Sequence, residues 1–146
     1  MHHGDAVGPE VNPMRPLSDR GRFEVDKLAQ QAAARGVKPE VIWHSGKLRA
    51  RQTAEAYWRL CNPLAAFSAA RGLQPTDPAG WIIDTIAGES RDVMLAGHFP
   101  HLPRLLGCLI TGDPEAGPRE FPLNGMVALE EASGRWVEKW RLGPAR

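Results

Sequence analysis

The chain has 146 residues, of which 42% are hydrophobic and 24% charged, and its formal net charge is +1. That length and balance describe one globular domain, residues 1–146, with a core of ordinary size. They exclude a dedicated nucleic-acid binder, since no surplus of Lys and Arg exists to neutralise many phosphates.

Cys61 and Cys108 have neither CxxC nor zinc-type spacing, so they read as two reduced thiols rather than a disulfide framework. No apolar run approaches the roughly 18–20 residues of a membrane helix, and the N-terminus lacks a signal-type apolar stretch. The expectation is a cytoplasmic protein with no membrane partner.

In chain order, His3-Gly4 comes almost at once, followed by the turn-rich loop Gly8-Pro9-Glu10-Val11-Asn12-Pro13. Ser18 is a good N-cap, and Asp19 complements the positive end of the helix it opens. Phe23, Val25, Leu28, Ala29, Ala32 and Ala33 give that helix an apolar stripe, and Gly36 ends it. Val41-Ile42-Trp43-His44 reads as a short buried strand. A helix follows from near Leu48 to Asn62-Pro63. Residues 64–71 stay open, because the alanines favour helix while nothing fixes a boundary.

Residues 72–78 are loop, and residues 78–87 predict a helix with Trp81, Ile82 and Ile86 inward. Val93-Met94-Leu95-Ala96 is a second buried strand, followed by a helix over 102–110 that Gly112-Asp113-Pro114 breaks. Residues 126–129 and 136–142 flank Ser133-Gly134 and predict an antiparallel hairpin, with Trp136 and Trp140 on one face. Strand–helix alternation closed by a hairpin predicts an α/β three-layer sandwich. Its sheet is mostly parallel, with helices on both faces. Ligands on such sheets bind at the carboxyl ends of the strands. His3-Gly4, Ser45 and Gly97-His98 each fall at such an end.

Two histidines and several guanidiniums at one sheet edge suit phosphoryl transfer. That reaction needs an in-line nucleophile and positive charge around the equatorial oxygens. A neutral imidazole can attack phosphorus, and the phosphohistidine it forms is open to water. The histidine spacing matches no common metal-ligand pattern, and arginines at the site would oppose a cation. Neither a metal nor another cofactor is expected.

Met1-His2-His3-Gly4-Asp5-Ala6 resembles the Arg-His-Gly signature of the histidine phosphatase superfamily, the phosphoglycerate mutase-like proteins. Arg15-Pro16-Leu17-Ser18 resembles the segment that opens the family's first helix. Ser45 through Ala54, with Arg49-Ala50-x-Gln52-Thr53-Ala54, and Ala96-Gly97-His98-Phe99-Pro100 match its two later motifs. Phe121-Pro122-Leu123-Asn124-Gly125 extends the likeness into the terminal hairpin. The short phosphohistidine phosphatase branch is the most similar.

The resemblance implies that His3 is the nucleophile, His98 the second catalytic histidine and Arg49 the main phosphate clamp. It also puts His2, Gly4, Arg15 and Ser45 around the phosphate. Thr53 reads as a packing residue.

Three departures accompany it. His2 stands where many members carry an arginine, and no glutamate occupies the loop 72–77, which leaves Asp77 as the candidate general acid. Only Met1 and His2 precede His3, so the first strand is largely missing. This suggests an internal methionine taken as a start, or a truncation, which the in-frame codons upstream would settle.

The implied function is removal of phosphoryl groups from protein phosphohistidine through a phosphohistidine enzyme intermediate. The partner is then a phosphohistidine-bearing protein or a small phosphorylated substrate, and the chain a monomer. The alternative is a catalytically weak phosphate- or phosphoprotein-binding module of the same fold.

Overall fold

The computed structural model describes residues 1–146. Ser18 opens the first helix, α1 (Asp19–Ala34), by accepting the Gly21 amide at 3.0 Å. Gly36, at φ +84°, takes the left-handed turn beyond its end. Val25, Leu28, Ala29 and Ala32 are buried along one stripe of i, i+3, i+4, i+7 spacing. Phe23 departs from the expectation. It is 64% exposed with the Lys27 ammonium 5.3 Å from its ring, because two residues before Val25 is about 200° around a helix.

The strands β1 (Val41–His44), β2 (Ala66–Ala69) and β3 (Val93–Ala96) form a parallel sheet in the order β2-β1-β3. Val41 lies opposite both Ala66 and Val93. The helices α2 (Leu48–Cys61) and α3 (Ala79–Ala87) fill the crossovers from β1 to β2 and from β2 to β3, in the way parallel strands require, and α4 (His101–Thr111) follows β3 and leads to the terminal hairpin. Alternation along the strands sorts the layers. Ile42, Met94 and Ala96 join the core beneath α1 and α2, with Val25, Leu28 and Tyr57. Trp43 and Leu95 point the other way, onto Leu73, Ile82, Leu102 and Leu105 beneath α3 and α4. The result is the three-layer sandwich expected. Burying a side chain the size of Ile42 or Ile82, both 0% exposed, contributes about 1.5–3 kcal/mol each.

Residues 66–69, left open by their alanines, become an edge strand because backbone pairing to β1 outweighs weak local preference. In α3, Ile82 is buried as expected, but Trp81 is 41% exposed, with the Arg71 guanidinium 4.0 Å from its ring. The hairpin of β4 (Met126–Ala132) and β5 (Arg135–Leu142) turns at Ser133 and Gly134, whose φ values of +54° and +78° suit a tight two-residue loop.

Met1 to His3 lies between the sheet and this hairpin. His2 makes a parallel bridge to Gly97, and its amide donates to Gly125 O at 2.9 Å. The Met1 amino group donates to Leu95 O and is fully buried, which lowers its pKa to about 5. Beyond Met1 the sheet and hairpin part, around a cavity of about 720 Å³ whose apolar lining includes Met94, Leu106, Met126 and Trp140. No helix is long and apolar enough to cross a membrane.

Candidate active site

Glycines bring α1 hard against the segment that carries His3. A side chain on Gly4 would strike Val25, and one on Gly21 would strike the Asp5 carbonyl. Gly4 therefore serves close approach rather than an unusual backbone angle. Its N–H donates to Thr53 Oγ1 at 3.0 Å, and the Thr53 hydroxyl donates to Arg49 O at 2.8 Å. The Gly4 amide is thus engaged by α2. Thr53, expected only to pack, ties the His3 segment to the helix that bears Arg49.

The His3 ring is fixed by the bond from its Nδ1–H to Gly4 O at 2.7 Å. A carbonyl can only accept, so the proton sits on Nδ1 and the Nε2 lone pair is left free. His2 holds the opposite tautomer. Its Nδ1 accepts the Asn124 amide at 2.8 Å, leaving an Nε2–H donor. Phe99 stacks on the His2 ring with centroids 4.1 Å apart, and the His2 and His3 centroids are 4.3 Å apart.

His98 completes the group, its centroid 5.1 Å from that of His3. It is 2% exposed, and Nε2 meets Ser45 Oγ at 2.6 Å. Ser45 therefore touches the second histidine, and Gln74 Nε2 in turn donates to Ser45 O at 2.5 Å. Gly46, at φ +90°, turns the chain from β1 into α2, and its amide donates to His44 Nδ1 at 3.0 Å.

The charges are uneven. Arg49 Nε is buried with no partner. Burial, then the neighbouring Arg15, lower the pKa of Arg49. None of Arg15, Lys47 and Arg49 has a carboxylate partner, although eight ion pairs occur elsewhere in the chain. Arg15 is held only by Nε donating to Val7 O at 3.1 Å. The guanidinium is only half-buried, but its unpartnered buried Nε and the second cation beside it favour an anion there.

The carboxyls sit aside. Asp5 accepts from Ser18 at 2.6 Å and pairs with Arg20 at 3.1 Å, contacts that lower its pKa, and its charge reaches His3. Asp77 closes a turn by accepting the Gln74 amide at 3.0 Å, and its charge is felt by His101.

Burial is the main cause holding His3 to a pKa of about 4, with the Gly4 bond opposing it and Arg49 and Arg15 reinforcing it. His2 and His98 are each lowered to about 3, again chiefly by burial. His44 and His101 move down for the same reason. At neutral pH all five imidazoles are uncharged, as a nucleophilic ring must be.

Stability should follow. Unfolded histidines bind protons near pH 6.5 and the folded ones do not, so protonation favours the unfolded chain. The contribution is fully present above pH 6.5 and is lost as pH falls toward 4 and 3. A melting temperature that drops between pH 6.5 and 5, with a shallower drop in His2→Gln, is the expected result. A flat profile over that window would mean that these rings are not held neutral.

No protein-family model matches the chain, and no curated protein matches it by sequence. Solved structures do match over nearly the full length. The protein histidine phosphatase SixA complexed with tungstate superposes with a TM-score of 0.82 and 24% identity, over 97% of this chain and 93% of that one. The SixA protein of Agrobacterium tumefaciens gives 0.79 and 25%, over 99% and 95%. That of Nakamurella multipartitia gives 0.78 and 20%, over 100% and 94%.

Proposed function

We propose that this chain, which has the histidine phosphatase fold, hydrolyses phosphohistidine through a phosphoenzyme formed on His3. The observation that carries the reading is the pairing of a free Nε2 lone pair on neutral His3 with the unpaired Arg49 and Arg15 beside it. A solved protein of this fold binds tungstate, a tetrahedral oxyanion, in keeping with an anion at such a site.

In this reading His3 Nε2 forms a bond to phosphorus as the substrate's P–N bond breaks, and the substrate imidazole leaves neutral with the proton it carried. Water then cleaves the P–N bond to His3, releasing phosphate. Arg49 neutralises the equatorial oxygens, with Arg15 as a second cation. His98 and the His2 Nε2–H are neutral donors, and Ser45 holds His98 in place. A neutral donor at His2 adds direction without charge, so more of the electrostatic work falls on Arg49.

Asp77 is the candidate general acid, but its carboxylate closes a turn and an imidazole leaving group needs little proton donation. Two free thiols suit a reducing, cytoplasmic setting, and a phosphohistidine-bearing protein is the partner this chemistry fits.

The test is a substrate series. Phosphohistidine peptide and phosphoramidate should turn over fastest, aryl phosphate more slowly, and glycerol phosphate hardly at all. Asp77→Asn should alter phosphohistidine turnover less than about twofold, since little proton transfer is needed there. Preference for an alkyl phosphate, with most of that rate lost in Asp77→Asn, would overturn the substrate assignment. Binding of vanadate with no turnover of any substrate would overturn the enzymatic reading itself.

A further inference from the structure

Asn124 lies outside the group of histidines and arginines, yet it reaches two of them. Its backbone is left-handed at φ +55°, and the residue is 7% exposed just before β4. Its amide donates to His2 Nδ1 at 2.8 Å, and its Nδ2 donates to His3 O at 2.8 Å. The Asn124 Oδ1 accepts from Arg146 Nη2 at 2.7 Å.

Arg146 is itself anchored. Its Nε and Nη2 make a forked pair with Glu24 of α1, at 3.1 and 2.9 Å, and the Glu24 side chain is 11% exposed. A bidentate guanidinium–carboxylate pair fixes direction as well as charge. The chain of contacts therefore runs from α1 through Glu24, Arg146 and Asn124 to the backbone of His3.

From this we infer that Asn124, held by Arg146, is a positioning residue that fixes the nucleophile's backbone and sets the tautomer of its neighbour His2. The inference rests on the reading of His3 as nucleophile. The physical need is plain. The His3 amide is tied to the sheet, donating to Gly97 O at 3.1 Å, but the His3 carbonyl takes its hydrogen bond from the Asn124 side chain, so losing Asn124 frees that end of the residue. The His3 carbonyl hold and the His2 amide hold come from one residue, so a shift of Asn124 moves both rings. An ångström of displacement in a reacting group costs up to about 10²-fold in rate.

The test compares Asn124→Gly, Arg146→Ala and the double variant. Glycine accepts the left-handed backbone without strain, keeps the amide to His2 and removes only the side-chain bonds. With phosphohistidine peptide, Asn124→Gly should lower kcat by about tenfold while KM and inhibition by inorganic phosphate stay near wild type. Arg146→Ala should lose less, Arg146→Lys should recover part of that loss, and the double variant should be no worse than Asn124→Gly alone. Wild-type kcat in Asn124→Gly overturns the inference. So do losses that multiply in the double variant, since Arg146 would then act by another route.

A readout without turnover separates this inference from the functional reading. In unliganded protein, ¹⁵N NMR should place the proton on Nδ1 of His3 and Nε2 of His2. Asn124→Gly should shift His3 toward a mixture of tautomers and leave His2 unchanged. An unchanged His3 signal overturns the positioning role even if the chain proves to hydrolyse nothing.

Discussion

Replacing His3 with alanine is expected to abolish both turnover and the acid-labile phosphate trapped on the chain during turnover. Neutral His3 offers the free Nε2 lone pair, because its Nδ1–H is committed to Gly4 O. His2 and His98 cannot take over easily. The His2 Nδ1 lone pair is occupied by the Asn124 amide, and His98 Nε2 is engaged by Ser45. The loss should therefore reach the detection limit rather than leave a slower second route. Quenched-flow labelling with a ³²P-phosphohistidine peptide, followed by acid and base stability of the labelled chain, gives the measurement. Undiminished hydrolysis by His3→Ala would remove the covalent mechanism, and label that persists at another residue would relocate the nucleophile.

Arg49→Ala should lose on the order of 10²–10³-fold in kcat, the usual effect of deleting one donor aimed at developing charge. The magnitude rests on the missing partner. Arg49 Nε is buried with no hydrogen bond and no carboxylate pairs with the half-buried guanidinium, so its charge and that of neighbouring Arg15 are left for the phosphoryl oxygens. Arg49→Lys should recover little, since a point charge cannot present the planar fork. The alanine variant should also melt close to wild type, because the half-buried guanidinium has no ion pair to lose. Steady-state kinetics with a melting curve on the same preparation checks both halves. A kcat effect near unity would place Arg49 away from the phosphate.

Much of this was legible in the sequence, for identifiable reasons. Ser18 as a helix cap, Gly36 as a helix stop and Ser133-Gly134 as a hairpin turn depend on a few neighbouring residues. Local chemistry decides them. The apolar runs at residues 41–44 and 93–96 could only be buried strands in an alternating chain. That pattern puts Ser45 and His98 at one sheet edge, where β1 and β3 end side by side. The order of layers followed from the same alternation.

Tertiary structure decided what periodicity cannot encode. Residues 66–69 became a strand because β1 offered an edge, and Trp81 stayed half outside with Arg71 over its ring while Ile82 took the buried face. The Gly4 amide went to Thr53, some fifty residues away. The opposite tautomers of His2 and His3 depend on Asn124 and Gly4 O, contacts that span from one residue to more than a hundred in sequence. Glu24, Arg146 and Asn124 carry no motif linking them, and only packing brings them together. Residue types and local spacing are enough to bring His3, Arg49 and His98 forward as candidates. Their protonation, their orientation and the partners that hold them are set by burial and long-range hydrogen bonds, which exist only once the chain has folded.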